Sequence, residues 1–361
     1  MEALKLKRLG TIMEPDVDNP MEAGGVLNPA AARGKDGNLY LFPRIATKEN
    51  YSRISIVKVL FNNARDPTAV ERLGIALEPE ADYEKRPDGG GGCEDPRVTY
   101  VEPLERYIMT YTAFSPDGPR IAMAQSENSL NWERLGRITY KPYENIEFNH
   151  INNKDAYVFL LQIPSPHGHR ALGMLHRPLF PGTSPEEKAA NSWDKAVDKH
   201  HESIWLFYCH IHPEKQESRK WDPAAFTSHR PLAVTVFDWE KIKIGSGTPP
   251  VMTKFGWMFM YHGVHASQGT TPEKQQLIYF AGLMFLSADD PYDIAFRSFE
   301  PVLVPTLPEE RVGVIANVVS PTGIHQRSDI GMPNRYDVYY GMADNRIGVA
   351  RLDLPQSLEW D

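Results

Sequence analysis

A strand–turn–strand block recurs five times along this chain, and that repetition limits the fold more than any other feature of the sequence. The copies are NPAAARGKDGNLYLFPRIA from Asn28, EDPRVTYVEPLERYIMTYTAF from Glu94, KDAYVFLLQIPSPHGHRALGMLHRP from Lys154, PPVMTKFGWMFMYHGV from Pro249 and NVVSPTGIHQRSDIGMPNRYDVYYGMAD from Asn317. Each opens on small or polar residues, runs through an apolar strand, turns, and enters a second strand ending near Tyr, His or Arg. LYLF, YIMTYTAF, ALGML, WMFMYH and YDVYYG are dense in aromatic and branched residues, as short strands are. Lys35-Asp36-Gly37-Asn38 and Lys254-Phe255-Gly256 fall where hairpin turns belong. Between the copies, ISIVKVLF, RIAMAQS, SIWLFYCH, LIYFAGLMFL and RIGVARLDL bring each sheet to about four strands. Such a unit cannot bury its apolar face alone. Radial stacking around a channel buries that face and protects the strand edges. The sequence therefore predicts an all-β fold, a five-bladed β-propeller with a central axial funnel, as one domain over residues 1–361. A pair of β-sandwiches is the competing architecture.

The interval after the third copy is the widest and holds an insertion over about residues 181–201. Within it, Ser184-Pro185-Glu186-Glu187 carries a capping signature for a short helix. The insertion is placed to cap the funnel or to meet a second subunit in a homo-oligomer. Gly89-Gly90-Gly91-Gly92 reads as a flexible approach to the second copy. It lacks the Lys-Ser/Thr and the helix that a phosphate loop needs.

Composition narrows the function classes. The net charge is −8 and the sequence has no Lys/Arg run, which argues against nucleic acid as a partner. No apolar run approaches the roughly 18 residues of a membrane span. MEALKLKRLG has no apolar signal core, so the expected location is cytoplasmic. The two cysteines, Cys93 and Cys209, read as reduced thiols. Some of the 12 histidines are closely spaced, at His167/His169, His200/His201, His210/His212 and His262/His265. They sit in turns and at strand ends, and the expectation is no metal and no cofactor.

In a propeller the innermost strand of each blade lines the axis, so the openers converge at one end of the channel. They bring together Asn28, Glu94, Asp95, Arg97, Lys154, Asp155 and Asn317, with Asp344 from the last copy's second strand. Carboxylates, amides and a guanidinium in an aromatic-lined funnel suit a sugar, whose hydroxyls take paired hydrogen bonds. Cleavage of a glycoside needs a proton donor for the leaving oxygen, and Asp95 is the candidate. The bland alternative is a charged turn before a strand.

The same residues carry a resemblance. Leu27-Asn28-Pro29-Ala30, Glu94-Asp95-Pro96-Arg97, Asn153-Lys154-Asp155-Ala156, Gly256-Trp257 running into Tyr261-His262-Gly263-Val264, Asn317-Val318-Val319 and Gly341-Met342-Ala343-Asp344 resemble glycoside hydrolase family 130, in order, over about residues 20–354. The resemblance implies a five-bladed propeller that inverts β-linked mannosides. It implies that Asp95 is the general acid, acting through a sugar hydroxyl. It further implies that Asn28, Arg44, Asp155 and Asp344 hold the terminal mannose of a β-linked manno-oligosaccharide, with Tyr261 and His262 near it.

Members of that family attack with inorganic phosphate or with water. A phosphate dianion needs several cations beside the anomeric carbon, whereas water needs a carboxylate base. The phosphorylase pattern has an Arg where this chain has Asn152 and a Lys where it has Met252. It keeps Arg177. The loss of two cations favours hydrolysis, with Glu202 or Glu147 as the base. Phosphorolysis, with phosphate as co-substrate, is the alternative, because His150, Lys154, His176, His262 and His265 could rebuild an anion site. The readings of a different class are a non-catalytic carbohydrate-binding propeller and a scaffold for protein partners. The scaffold would place apolar patches on blade rims instead of charge on the axis.

Overall fold

The computed structural model describes residues 4, 6–87, 89–144, 146–180, 202–211, 226–267 and 276–358. The expected helix in the insertion lies outside these residues, as do His200, His201 and His212. Among the described residues the chain is all-β, with one four-residue α-helix, α1 (Pro308–Arg311), and a few single 3-10 turns.

Strand β1 spans Lys7–Met13 and waits for the end of the chain. The first unit is β2 (Gly25–Arg33), β3 (Leu39–Ala46), β4 (Tyr51–Phe61) and β5 (Pro67–Leu77). The second is β6 (Gly91–Val101), β7 (Arg106–Ser115), β8 (Gly118–Ser126) and β9 (Glu133–Arg137). The third is β10 (Asn152–Pro164), β11 (Arg170–Leu179), β12 (Ile204–Cys209) and β13 (Thr227–Ala233). The fourth has a split inner strand, β14 (Lys243–Ser246) and β15 (Val251–Thr253), both pairing with β16 (Gly256–Ala266), then β17 (Leu277–Leu286) and β18 (Ile294–Arg297). The fifth is β19 (Val319–Arg327), β20 (Met332–Met342) and β21 (Arg346–Asp353), completed by β1 pairing antiparallel with β21.

Each unit is an antiparallel meander. A short parallel contact, Tyr51–Ser52 with Gly91–Gly92, links the first two. That contact corrects the reading of the glycine run. Gly91 and Gly92 have φ of 74° and 100°, and a Cβ on them would meet the Phe114 and Ser52 carbonyls at 2.5 and 2.3 Å. Their glycine identity serves close packing, not flexibility.

The core is a series of layers between consecutive units. Phe42 and Ile54 meet Met109 and Tyr111, and Ile108 and Met123 meet Val158 and Trp205. Tyr157 and Leu206 meet Phe259 and Met284, and Met258 and Leu283 meet Val319 and Tyr336. Tyr339 and Val349 of the fifth unit then meet Leu41 and Val57 of the first. Both faces of each middle strand are therefore buried, which is why those strands are apolar without alternation.

A buried acid closes four of the units. Glu22, Glu84, Glu240 and Glu310 each sit on a short helical turn before a unit's first strand and are at most 2% exposed. Each pairs with an arginine on that unit's outermost strand: Arg72, Arg134, Arg297 and Arg8, at 2.7, 2.9, 2.6 and 2.7 Å. The last three carboxylates also accept two backbone N–H groups each. Tyr111 and Tyr340 donate to Glu84 and Glu310. A buried carboxylate is tolerated where its lone pairs are filled this way.

The third unit packs histidines and aromatics instead. His229 stacks on Phe148 at 4.6 Å, and His176 lies edge-on to Phe207 at 4.1 Å. Burial drives His176 well below the usual imidazole range and His229 down to about 4. Burial, with Arg33 adjacent, takes His325 to about 3. These rings are neutral when folded and charge when unfolded, so acid favours the unfolded chain. Folding stability should fall as pH drops from 6.5 towards 4, by about 1.4 kcal/mol per pH unit for each such ring. Burial also raises the carboxyls of Asp344, described below, and Asp337, which work the other way and offset part of the loss. Thermal melts between pH 7.5 and 5 check this, and a flat profile would refute it.

Candidate active site

The openers meet because of a repeated backbone device. Asn28, Asp95, Asp155 and Asn317 have φ of 44°, 48°, 55° and 60°, in the left-handed region, and Asp344 has 49°. At the first three the strand pairing slips, between Leu27 and Ala30, between Glu94 and Arg97, and between Lys154 and Tyr157. These are β-bulges, which re-aim a side chain out of the sheet's alternation. A non-glycine residue there costs about 1 kcal/mol or more, and Asn and Asp tolerate it best. The strain is repeated where chemistry-bearing side chains converge.

One half of the cluster centres on Asp95. Its Oδ1 accepts from Asn28 Nδ2 at 2.9 Å and from the Arg44 guanidinium at 3.3 Å. Arg44 also donates to Glu94 at 2.9 Å, to Asn50 at 3.0 Å and to Ser52 at 2.9 Å. Lys154 pairs with the other Glu94 oxygen at 3.0 Å. Burial would raise the Asp95 carboxyl, but Arg44 and Lys154 outweigh it and hold the group below its usual range. Burial, with the Asp95 charge nearby, pushes Asp344 up to about 6, although Arg44 opposes the rise. Two neighbouring carboxyls are thus driven apart in proton affinity. A cavity of about 550 Å³ opens over this half, lined by Arg44, Glu94, Lys154, Asp344 and Phe114 and by Leu27, Ala46, Val314 and Ile315.

The other half centres on Asp155. Arg177 donates to it at 2.6 Å and binds Glu202 with its other arm. His262 Nε2 lies 3.8 Å away. Burial would raise Asp155, but Arg177, His262 and Arg97 hold it well below the carboxylate range. Burial, with Arg177 and Lys243 nearby, takes His262 down to about 3, so the ring is a neutral donor. β14 passes between these groups at Gly245, where a Cβ would meet Asp155 and His262 at 2.4 Å each. Lys243, at the start of β14, is 8% exposed, and its ammonium lies 5.3 Å above the Tyr279 ring. No carboxylate lies within ion-pair distance of Lys243 among the described residues. Arg97 is buried and, among the described residues, donates only to the carbonyls of Gly247, Asp95 and Pro96. This half therefore carries three cations, Arg97, Arg177 and Lys243, against two carboxylates, Asp155 and Glu202.

Comparison with known proteins can now be set beside this geometry. A family model described as beta-1,4-mannooligosaccharide phosphorylase, of glycoside hydrolase family 130, matches residues 4–360. The chain belongs to glycoside hydrolase family 130. It is 28% identical over 360 residues to the 1,2-beta-oligomannan phosphorylase of Thermoanaerobacter sp. (strain X514), covering 97% of this chain and 98% of that one. It shares its fold with the beta-1,2-mannobiose phosphorylase of Listeria innocua in complex with beta-1,2-mannobiose (TM-score 0.67, 21% identity, 96% of each chain). A further solved structure is reported under the statement that this family of mannoside phosphorylases contains hydrolases targeting beta-1,2 mannosidic linkages in Candida mannan (TM-score 0.68, 20% identity, 100% of this chain and 97% of that one).

This family 130 chain departs from several sequence expectations. Glu202 is 1% exposed with an oxygen held by Arg177, so it is a partner for that guanidinium and not a base facing water. Glu147 caps the 3-10 turn at Phe148–His150, accepting the Asn149 N–H at 3.1 Å. Hydrolysis as the leading reading thus gains no support from either carboxylate, and the curated relatives named as phosphorylases do not favour it. Tyr261 points away from His262 because strand neighbours face opposite ways; its hydroxyl accepts from Arg297 at 3.1 Å, inside the core. Asn317 donates to Gln276 at 3.2 Å on the rim. His176 is core, not anion site. At Asn152, which carries no cation, the side chain accepts from the guanidinium of Arg120 of β8. Sequence reasoning missed Lys243 altogether, because the fourth copy was started at Pro249, after β14. Cys93 and Cys209 are buried thiols, and among the described residues no three metal-ligating side chains gather.

Proposed function

We propose that this chain is an inverting β-mannoside phosphorylase, whose five units are the blades of a five-bladed β-propeller forming one domain around the site. The carrying observation is Lys243. A buried ammonium without an anion is costly, and here it faces Arg177 and a neutral histidine across a site that also holds the candidate acid. Phosphate supplies the missing charge. The family's phosphorylase relatives support the same reading, and so does the lack of a placed base.

In this reading Asn28, Arg44, Asp155 and Asp344 hold the terminal mannose. Phosphate, held by Lys243, Arg177 and His262, attacks the anomeric carbon from the side of the third and fourth units. The C1–O bond to the leaving sugar breaks and a C1–O–P bond forms with inversion, giving α-mannose 1-phosphate. Asp95 gives its proton, through a sugar hydroxyl, to the leaving oxygen and regains one from the phosphate or from solvent. Arg44 and Lys154 hold the Asp95 carboxyl below its usual range. The incoming negative charge raises its proton affinity, so loading of phosphate arms the acid. The product keeps the bond energy as a sugar phosphate, which fits a cytoplasmic enzyme.

Product analysis tests this. β-1,2-, β-1,3- and β-1,4-mannobiose are incubated with and without millimolar phosphate. Mannose 1-phosphate formed only with phosphate is the expected result. Free mannose at equal rates in both would restore hydrolysis, and no product from any substrate would remove the mannoside assignment.

A further inference from the structure

The cavity lined by Arg44, Glu94 and Asp344 has one wall of charge and one of aliphatic carbon. The aliphatic wall is Leu27, Ala46, Val314 and Ile315. The last two belong to residues 312–316, where Val312, Val314 and Ile315 are 71%, 59% and 45% exposed. Three large apolar side chains held in water at the mouth of a polar site are unusual unless something covers them.

The segment is fixed in place. Glu310, just before it, is buried against Arg8 and Tyr340. Ile315 N–H donates to the Ala343 carbonyl at 3.2 Å, and Val318 N–H to the Glu310 carbonyl at 3.0 Å. Gly313 lies so close to Ala343 that a Cβ would meet its carbonyl at 2.3 Å. The wall is thus anchored to the residue that precedes Asp344.

The direction of attack says what the wall faces. This step rests on the phosphorolytic reading above. Lys243, Arg177 and His262 put the nucleophile on the third and fourth units. Inversion sends the leaving oxygen out on the opposite face. The cavity lies there, lined by the first, second and fifth units, with Lys154 alone from the third. We infer that Val314 and Ile315 form an apolar platform for the leaving-side saccharide and set the affinity for it. Its occupant is a second sugar ring, whose C–H face lies on the aliphatic carbons while its hydroxyls face the charged wall.

The reverse reaction isolates this subsite, because mannose 1-phosphate and the acceptor sugar enter separately. For Ile315→Ser and Val314→Ser, phosphate release is followed with each substrate varied in turn. The KM for a mannose or mannobiose acceptor should rise about tenfold, from the loss of part of a buried aliphatic side chain. The KM for mannose 1-phosphate should stay within about twofold. Both side chains are largely exposed, so folding should survive. Unchanged acceptor KM, or a rise confined to mannose 1-phosphate, overturns the inference. So does a change in oligomeric mass with unchanged kinetics, which would make the segment a subunit contact. If the unaltered protein releases no phosphate from mannose 1-phosphate, the phosphorolytic reading itself fails. The platform is then tested by calorimetric titration of mannobiose into Asp95→Asn with and without Ile315→Ser: about tenfold weaker binding upholds it, and equal binding ends it.

Discussion

Asp95→Asn should lower kcat by about a thousandfold or more while leaving saccharide binding and the fold intact, since a positioned general acid contributes about 10²–10⁴. The substitution keeps the shape of the side chain. Its amide oxygen still accepts from Asn28 and Arg44, which now approach the Asp95 carboxylate at 2.9 and 3.3 Å. What disappears is the proton that the leaving oxygen takes up. The variant also removes the like charge that helps raise Asp344, so that group becomes more acidic and a poorer donor. Single-turnover assays with mannobiose and phosphate, beside calorimetric titration of the same saccharide, check both halves. Retention of more than a tenth of the activity would move the acid elsewhere in the cluster, with Asp344 first in line. Loss of binding together with activity would mean that Asp95 serves mainly to hold sugar.

Lys243→Met should weaken phosphate selectively. A charge-assisted hydrogen bond contributes about 1.5–3 kcal/mol, so the KM for phosphate should rise by roughly 10- to 100-fold. The KM for mannobiose should change little. The decisive second readout is stability. Among the described residues the ammonium lies against the Tyr279 face, with carboxyls only at a distance. Its removal takes away a desolvated charge and leaves methylenes of similar volume, so the melting temperature should hold or increase. A lysine with a purely structural role would give the reverse pattern, a lower melting temperature and an unchanged KM. Phosphate should raise the melting temperature of the unaltered protein and lose that effect in the variant. If phosphate stabilises both proteins equally, the anion lies elsewhere.

The parts of this molecule that were legible in its sequence are those that are buried twice. β3, β7, β12, β17 and β20 lie between neighbouring strands and between neighbouring units, so apolar runs such as LYLF and YIMTYTAF mark them. β5, β9 and β18 are outermost, and most of their residues are partly or fully exposed. Their sequences carry no periodic signal, and the strand count had to be inferred. β14 was hidden for the opposite reason. All four of its residues are buried, yet they are Lys-Ile-Gly-Ser, chosen for the site and not for a core. Starting the fourth copy six residues late hid Lys243, and the preference for hydrolysis rested on the cations missing at Asn152 and Met252. Asp95 and Asp155 were legible because a bulge needs a residue that tolerates positive φ, and Asn or Asp at each opener writes that need into the sequence. Tyr261 was misread because a motif names neighbours without saying which of them faces in. Glu202 was misread because nothing in the sequence shows that Arg177 would reach it.

The seam in the fifth unit has a consequence for biosynthesis. The first four sheets take all their strands from contiguous chain and can close as synthesis proceeds. The fifth cannot: β1 pairs with β21, more than 330 residues later, and Arg8 reaches Glu310 from the same strand. Until the last sheet is made, Ile12 and Met13 of β1, both buried in the finished protein, lack Tyr339, Ile347 and Val349 from their packing. A nascent chain therefore carries an unprotected strand throughout its elongation, and an arc of completed sheets with two open apolar ends. Pairing β1 with β21 links residues from opposite ends of the chain, and long-range strand pairing of this kind is slow and exposed to aggregation. The entropic cost of such a closure grows only slowly with length. Once joined, the seam ties the two ends of the arc together, so unravelling from either one must begin by parting β1 from β21. Holdase chaperones would be needed most in the interval between synthesis of β21 and capture of β1, and shear, heat or proteases would first attack the same joint.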